Sequence, residues 1–157
     1  MRKPKVTVAG ISMDETDKRI LEVLQKNSRT PYRDIARHAK ISDVAVHKRI
    51  KKLGKVIKAF TVLVDQREYG KAITAIVAIT CEVGKAPEIA RKLSELEDIT
   101  EVYTTLGEHD IVAKIRTKDL ESLKNIVEKE LIRIKGINEI RTSIVFNCVK
   151  ERVNLVM

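Results

Sequence analysis

Thr30-Pro31-Tyr32-Arg33-Asp34-Ile35-Ala36-Arg37-His38-Ala39-Lys40-Ile41-Ser42-Asp43-Val44-Ala45-Val46-His47-Lys48-Arg49-Ile50-Lys51-Lys52-Leu53 decides the fold of the N-terminal half. Thr30 before Pro31 reads as an N-cap and first helical position, where a missing N–H costs nothing. Ile35, Ala36 and Ala39 then share one face. A tight turn at Lys40-Ile41 leads to Ser42, a second N-cap. Val46, Ile50 and Leu53 follow at steps of four and three, a helical spacing. Two helices joined by so short a turn predict a helix-turn-helix.

Working outward, Asp14 with Asp17 is a capping-box variant, and Asp17, Ile20, Leu21 and Leu24 carry an earlier helix to about Gln25. Residues 1–12 hold Pro4 and Gly10 without helical period and are expected to be a tail, partly ordered through Val6, Val8 and Ile11. The DNA-binding domain is expected over 13–56, and residues 57–71 form a strand (Ile57–Val64) and a polar hinge ending at Gly70. From 72 to 157 the pattern alternates: strand Ala72–Val83, helix Pro87–Leu96, strands Thr100–Leu106 and Asp110–Thr117, helix Asp119–Lys135 stopped by Gly136, strand Ile140–Val149. The order βαββαβ is ferredoxin-like, so the whole chain is read as α+β. Such a sheet has helices on one face. Ile73, Ala75, Val77, Ile79, Cys81 and Val83 are expected to meet them. Thr74, Ile76, Ala78 and Thr80 lie opposite, too apolar for open water. A second sheet covers such a face well, which predicts a homodimer.

Charge divides the chain at the same place. Up to Lys71 there are 18 Lys and Arg against 8 Asp and Glu, and after it 13 against 14. The excess cation of the first half suits double-stranded DNA. No apolar run is long enough for a bilayer or a secretory signal, and the expected location is cytoplasmic. Cys81 and Cys148 have no metal-ligand spacing and read as buried strand thiols. No catalytic constellation, phosphate loop or metal motif occurs, so neither an enzyme nor a cofactor is expected.

With Val46, Ile50 and Leu53 inward, the third helix exposes Asp43, Val44, His47, Lys48, Lys51 and Lys52. Val44, His47 and Lys48 are candidates for base edges, and Lys51 and Lys52 for phosphates. A solvated basic helix face is the plainer alternative, and a chromatin-like architectural protein that coats DNA is the rival function. A second candidate is the turn Leu106-Gly107-Glu108-His109-Asp110. Backbone N–H groups near Gly107 suit a carboxylate and Asp110 suits an ammonium, as an amino acid requires, although a plain hairpin explains the same residues.

Met13-Asp14-Glu15-Thr16-Asp17-Lys18-Arg19-Ile20-Leu21, Asn27-Ser28-Arg29-Thr30, Ile35-Ala36 and Ser42-x-x-x-Val46-x-x-Arg49-Ile50-x-x-Leu53 together resemble the leucine-responsive regulatory protein (Lrp/AsnC) family of transcription regulators. The second half is similar to that family's ligand-binding domain, including Thr105–Asp110 and Arg141-Thr142-Ser143. The resemblance implies a dimer through the sheet domain, further assembly such as a tetramer of dimers, and paired helix-turn-helix units on DNA. It adds Ser42 and Arg49 to the DNA-binding residues. It also implies an effector, usually an amino acid, at Thr104, Leu106, Gly107, Glu108, His109, Asp110, Thr142 and Ser143. The chain departs from the family in a shorter link after Leu53, in Ile144 where a second threonine is common, and in His109 where an aromatic is common.

Overall fold

Asp14 begins the first helix by the reciprocal bonding its sequence predicts. Its carboxylate accepts from Asp17 N–H at 3.0 Å, and the Asp17 carboxylate accepts from Asp14 N–H at 3.1 Å. The structure, a computed structural model, describes residues 6–8, 11–62 and 64–151. Helix α1 runs Glu15–Lys26, α2 Tyr32–Ala39 and α3 Asp43–Leu53. Ser42 caps α3, accepting from Ala45 N–H at 3.2 Å. Lys40 takes the left-handed conformation in the tight turn between α2 and α3. Ile20, Leu21, Leu24, Ile35, Ala36, Ala39, Val46 and Leu53 close one aliphatic core, with Ile50 packed at its edge.

One local expectation is corrected, and the partial order expected of the tail takes a definite form. Pro31, not Thr30, holds the N-cap position of α2, and the Thr30 hydroxyl donates to the Asn27 carbonyl at 2.7 Å. Part of the expected tail is a hairpin, with β1 (Val6–Val8) antiparallel to β2 (Ile11–Met13). Arg2, Lys3 and Lys5 lie outside the described residues.

The second compact unit is Val64–Val149. It contains β3 (Ile73–Cys81), α4 (Ala86–Ser94), β4 (Ile99–Thr104), β5 (Ile111–Thr117), α5 (Leu120–Asn125) and β6 (Ile137–Ile144). The sheet order is β4-β5-β3-β6, antiparallel throughout. This is the expected βαββαβ arrangement. Ala75, Val77 and Ile79 of β3 and Ile111, Ala113 and Ile115 of β5 face Ile89, Leu93, Leu123, Ile126 and Leu131 of the helical layer. Ile76 and Ala78 lie on the open face, in register with Lys114 and Val112 of β5 and with Ser143 and Arg141 of β6.

Several bounds move inward. The expected strand over Ile57–Val64 is not formed among the described residues. Its alternation suits a strand, but β3 already has β5 and β6 on its two sides, and Phe60, Val62 and Val64 stay exposed. β3 ends at Cys81, so Val83 is fully exposed rather than on the helical side. The long helix expected from Asp119 changes after Asn125 to a π-helical turn, Ile126–Leu131, and the chain then turns through Gly136 at φ 92°. β6 ends at Ile144, which leaves Phe146 and Cys148 exposed. Cys148 is therefore not the buried strand thiol expected, whereas Cys81 is buried.

Ile79 has no solvent exposure and sits at the centre of this core. Ile79→Ala is expected to destabilise the sheet unit by about 2–5 kcal/mol, read from the denaturation midpoint. A loss under about 0.5 kcal/mol would show that the site collapses or was never filled.

Candidate nucleic-acid interface and effector turn

The exposed side of α3 follows from which of its residues are buried. Val46 and Leu53 are fully buried and Ile50 partly so. Around the helix, Val44, His47, Lys48 and Lys51 are left outside, with Val44 65% exposed. Lys48 and Lys51 have no ion pair among the described residues. The His47 ring meets the Tyr32 ring of α2 edge to face, with centroids 5.7 Å apart at 60°. Tyr32 was not singled out from the sequence. Its contact with His47 depends on how the turn at Lys40 folds α2 back beside α3, a geometry that spacing alone does not supply.

Arg49 and Lys52 differ from their neighbours. Arg49 Nη1 lies 2.7 Å from both Asp14 Oδ1 and Asp17 Oδ1. Lys52 Nζ lies 2.5 Å from Asp17 Oδ2 and donates to the Ser12 carbonyl at 3.0 Å. Asp17 is fully buried. Burial alone would raise the Asp14 carboxyl, but the Asp17 N–H, the Arg49 guanidinium and the Lys52 charge together hold it below the usual carboxylate range. Burial works against the Arg49 charge, and the two carboxylates more than restore it. Ser12, Asp14, Ala45, Lys48, Arg49 and Lys52 line an open hollow of about 420 Å³ beside the helix.

The second candidate is anchored at its ends and open in the middle. Thr105 N–H donates to the Asp110 carbonyl at 2.9 Å, and the Thr105 hydroxyl donates to the His109 carbonyl at 2.5 Å. Asp110 N–H donates to the Ile79 carbonyl at 3.0 Å, and Asp110 Oδ2 accepts from Cys81 N–H at 2.7 Å. One carboxylate oxygen of Asp110 therefore pins the turn to the end of β3. Burial and the nearby Asp110 charge push the Cys81 thiol up. Leu106 is fully exposed, and Gly107 at φ 155° keeps a backbone that side chains rarely adopt. Glu108 pairs with Arg141 of β6 at 3.0 Å, and the buried Nδ1 of His109 has no hydrogen-bond partner.

The other expected effector residues lie on both edge strands of the sheet, and the turn reaches β6 through the Glu108–Arg141 pair. Thr104 ends β4, whereas Thr142 and Ser143 lie on β6, and β5 and β3 separate those two edge strands. Three strand spacings are roughly 14 Å. Thr142 pairs with Val77 of the helical side and Ser143 with Ile76 of the open side, so their side chains leave opposite faces. Among the described residues no group of three or more His, Cys, Asp or Glu is placed to hold a metal ion. No helix among them is long and apolar enough to cross a membrane.

The chain matches two family models: the AsnC-type helix-turn-helix domain over residues 13–53, and the Lrp/AsnC ligand binding domain over residues 74–155. It is 39% identical to the HTH-type transcriptional regulator FL11 of Pyrococcus furiosus, over 91% of this chain and 95% of that one. AsnC of E. coli shares its structure with a TM-score of 0.85 at 26% identity, over 90% of this chain and 97% of that one. A transcriptional regulator of Neisseria meningitidis in complex with L-Met has the same fold, with a TM-score of 0.86 at 20% identity and cover of 91% and 96%.

The Asp14 carboxyl supplies a pH test. Because its folded value is depressed, its stabilisation is present above the ordinary carboxylate range and is lost as pH falls through the folded value. The melting temperature of the protein is expected to fall on acidification from neutral pH to about pH 3, and Asp14→Asn is expected to flatten that fall. An unchanged acid profile in Asp14→Asn would remove Asp14 from the stabilising set.

Proposed function

The chain belongs to the Lrp/AsnC family of transcription regulators, with an AsnC-type helix-turn-helix and an Lrp/AsnC ligand-binding domain, and from that premise we propose a sequence-specific, homodimeric DNA-binding regulator that responds to an amino acid. The observation that carries the DNA half is the outer side of α3, where Lys48 and Lys51 have no ion pair among the described residues. Val44 offers an apolar contact to a thymine methyl, and His47 and Lys48 reach base edges. Lys51 meets a phosphate. Ser42 uses its oxygen for the cap and keeps its O–H for a second phosphate.

The dimer reading rests on the half-covered sheet. Ile76, Ala78, Val112 and Tyr103 make an apolar band on the open face, bordered by the Lys114–Glu101 pair at 3.2 Å and the Arg141–Glu139 pair at 2.8 Å. The effector reading rests on the family's ligand-binding domain and on the open Gly107–Asp110 turn. The oxygen of Asp110 not used by Cys81 takes the α-ammonium, and N–H groups around Gly107 take the carboxylate. Thr142 or Ser143 completes the polar shell from β6, either of the same chain, where Glu108 meets Arg141, or of a second copy. A site built from several copies couples the ligand to assembly, since the ligand favours whichever oligomer closes it.

Gel-shift titration across salt is expected to show a steep loss of affinity, the mark of several phosphate contacts. Lys51→Ala should weaken every duplex alike. His47→Ala should change sequence preference, at about 1–3 kcal/mol per lost base contact. Equal, sequence-blind losses at both positions would favour the architectural alternative. For the effector, a thermal-shift screen of the amino acids is expected to raise the melting temperature with at least one of them, and Asp110→Asn to abolish that response. A silent screen would remove the sensor reading and leave the DNA reading standing.

A further inference from the structure

Helix α3 carries four cations, Lys48, Arg49, Lys51 and Lys52, and two of them are engaged inside the protein. At about 100° per residue, Arg49 and Lys52 stand on one shoulder of the exposed arc and His47 on the other, with Val44, Lys48 and Lys51 between them. The first shoulder is gripped by Asp14 and Asp17 of the α1 capping box, and the second by the ring of Tyr32 from α2. Both oxygens of the buried Asp17 are used, one by Arg49 and the other by Lys52. Moving Arg49 or Lys52 to a phosphate would strip a fully buried carboxylate of a cation, and an unpaired buried charge is among the costliest states a protein can adopt.

We infer that Arg49 and Lys52 are positioning residues, which fix the angle at which α3 is presented to DNA, and that Lys48 and Lys51 alone among the helix's cations meet the duplex. This rests on the DNA-binding reading and assigns the cations within it. It gives Lys52 and Arg49 a different role from the DNA contacts expected of them.

The two roles predict opposite signs. Asp17→Asn removes a negative charge near the interface, so electrostatics alone would tighten binding to every duplex. A positioning role predicts that the same change loosens binding to a preferred sequence. The test uses the full chain, a duplex that the wild type enriches from random-sequence DNA, and a scrambled duplex of equal length and composition. Lys52→Gln is expected to weaken the enriched duplex about tenfold, leave the scrambled one unchanged, and keep the salt slope. Lys51→Gln, as the phosphate control, should lose about 0.9 from the slope of log affinity against log salt and weaken both duplexes. Arg49→Lys keeps the charge but loses the fork that reaches two carboxylates, so it too should lose preference for the enriched duplex with its slope intact. These two variants carry the test if Asp17→Asn does not fold. A slope lowered in Lys52→Gln, full function in Arg49→Lys, or tighter binding of both duplexes by Asp17→Asn would each overturn the inference. Failure of the wild type to enrich any duplex would overturn the sequence-specific reading instead, and this inference with it.

Discussion

A carboxylate with no access to water must find its partners inside the protein, and Asp17 is such a group. Its position is fixed from two directions. Within α1 it closes the capping box with Asp14, and across to α3 it takes Arg49 and Lys52. Two acids and two bases make a neutral cluster, so the charges that α3 shows outward are those the cluster has not absorbed. The aliphatic core of Ile20, Ile35, Val46 and Leu53 supplies adhesion between the helices, but burial has no direction. The charge-assisted bonds do, and removing the cations would leave the buried Asp17 charge uncompensated. The orientation of the third helix therefore depends on a contact made at one shoulder of the surface it presents.

The sheet unit divides its labour in a similar way. One face is mostly aliphatic, from Ala75, Val77 and Ile79 through Ile111, Ala113 and Ile115 to the helices. The other mixes Ile76, Ala78 and Val112 with ionic pairs at the edges. A face of that composition favours a partner in one register over many, because its rim charges must meet opposite charges. The Gly107–Asp110 turn sits beside this face, pinned through Asp110 to the end of β3 and through Glu108 to Arg141 of β6. Whatever moves the turn is felt by the central strand and by one edge.

Much of this was readable from local pattern. The caps at Asp14 and Ser42, the helical spacing of Val46, Ile50 and Leu53, and the alternation through β3 each depend on residues a few positions apart. The βαββαβ order follows from where one period replaces another. The failures have a common cause. Ile57–Val64 has a strand's alternation, but a strand exists only by pairing, and nothing in the segment names its partner. Thr30 looks like a cap, yet the Asn27 carbonyl claims its hydroxyl. Lys52 reads as a free cation because Asp17 lies 35 positions away. The helical period running on past Asn125 does not reveal the change to π-helical bonding at Ile126. Local chemistry announces itself in sequence, and distant partners do not.

The chain has no tryptophan, and its three tyrosines are Tyr32, Tyr69 and Tyr103. Each is well exposed, at 42%, 72% and 55%. Ultraviolet emission from this protein therefore says little about its aliphatic interiors and a great deal about its surfaces. Tyr32 lies against the His47 imidazole of the third helix, Tyr103 on the open side of the sheet, and Tyr69 in the turn that leads to β3. Three native fluorophores thus stand on three different elements of the chain. Replacing any two with phenylalanine leaves a single-site optical probe, with no label attached.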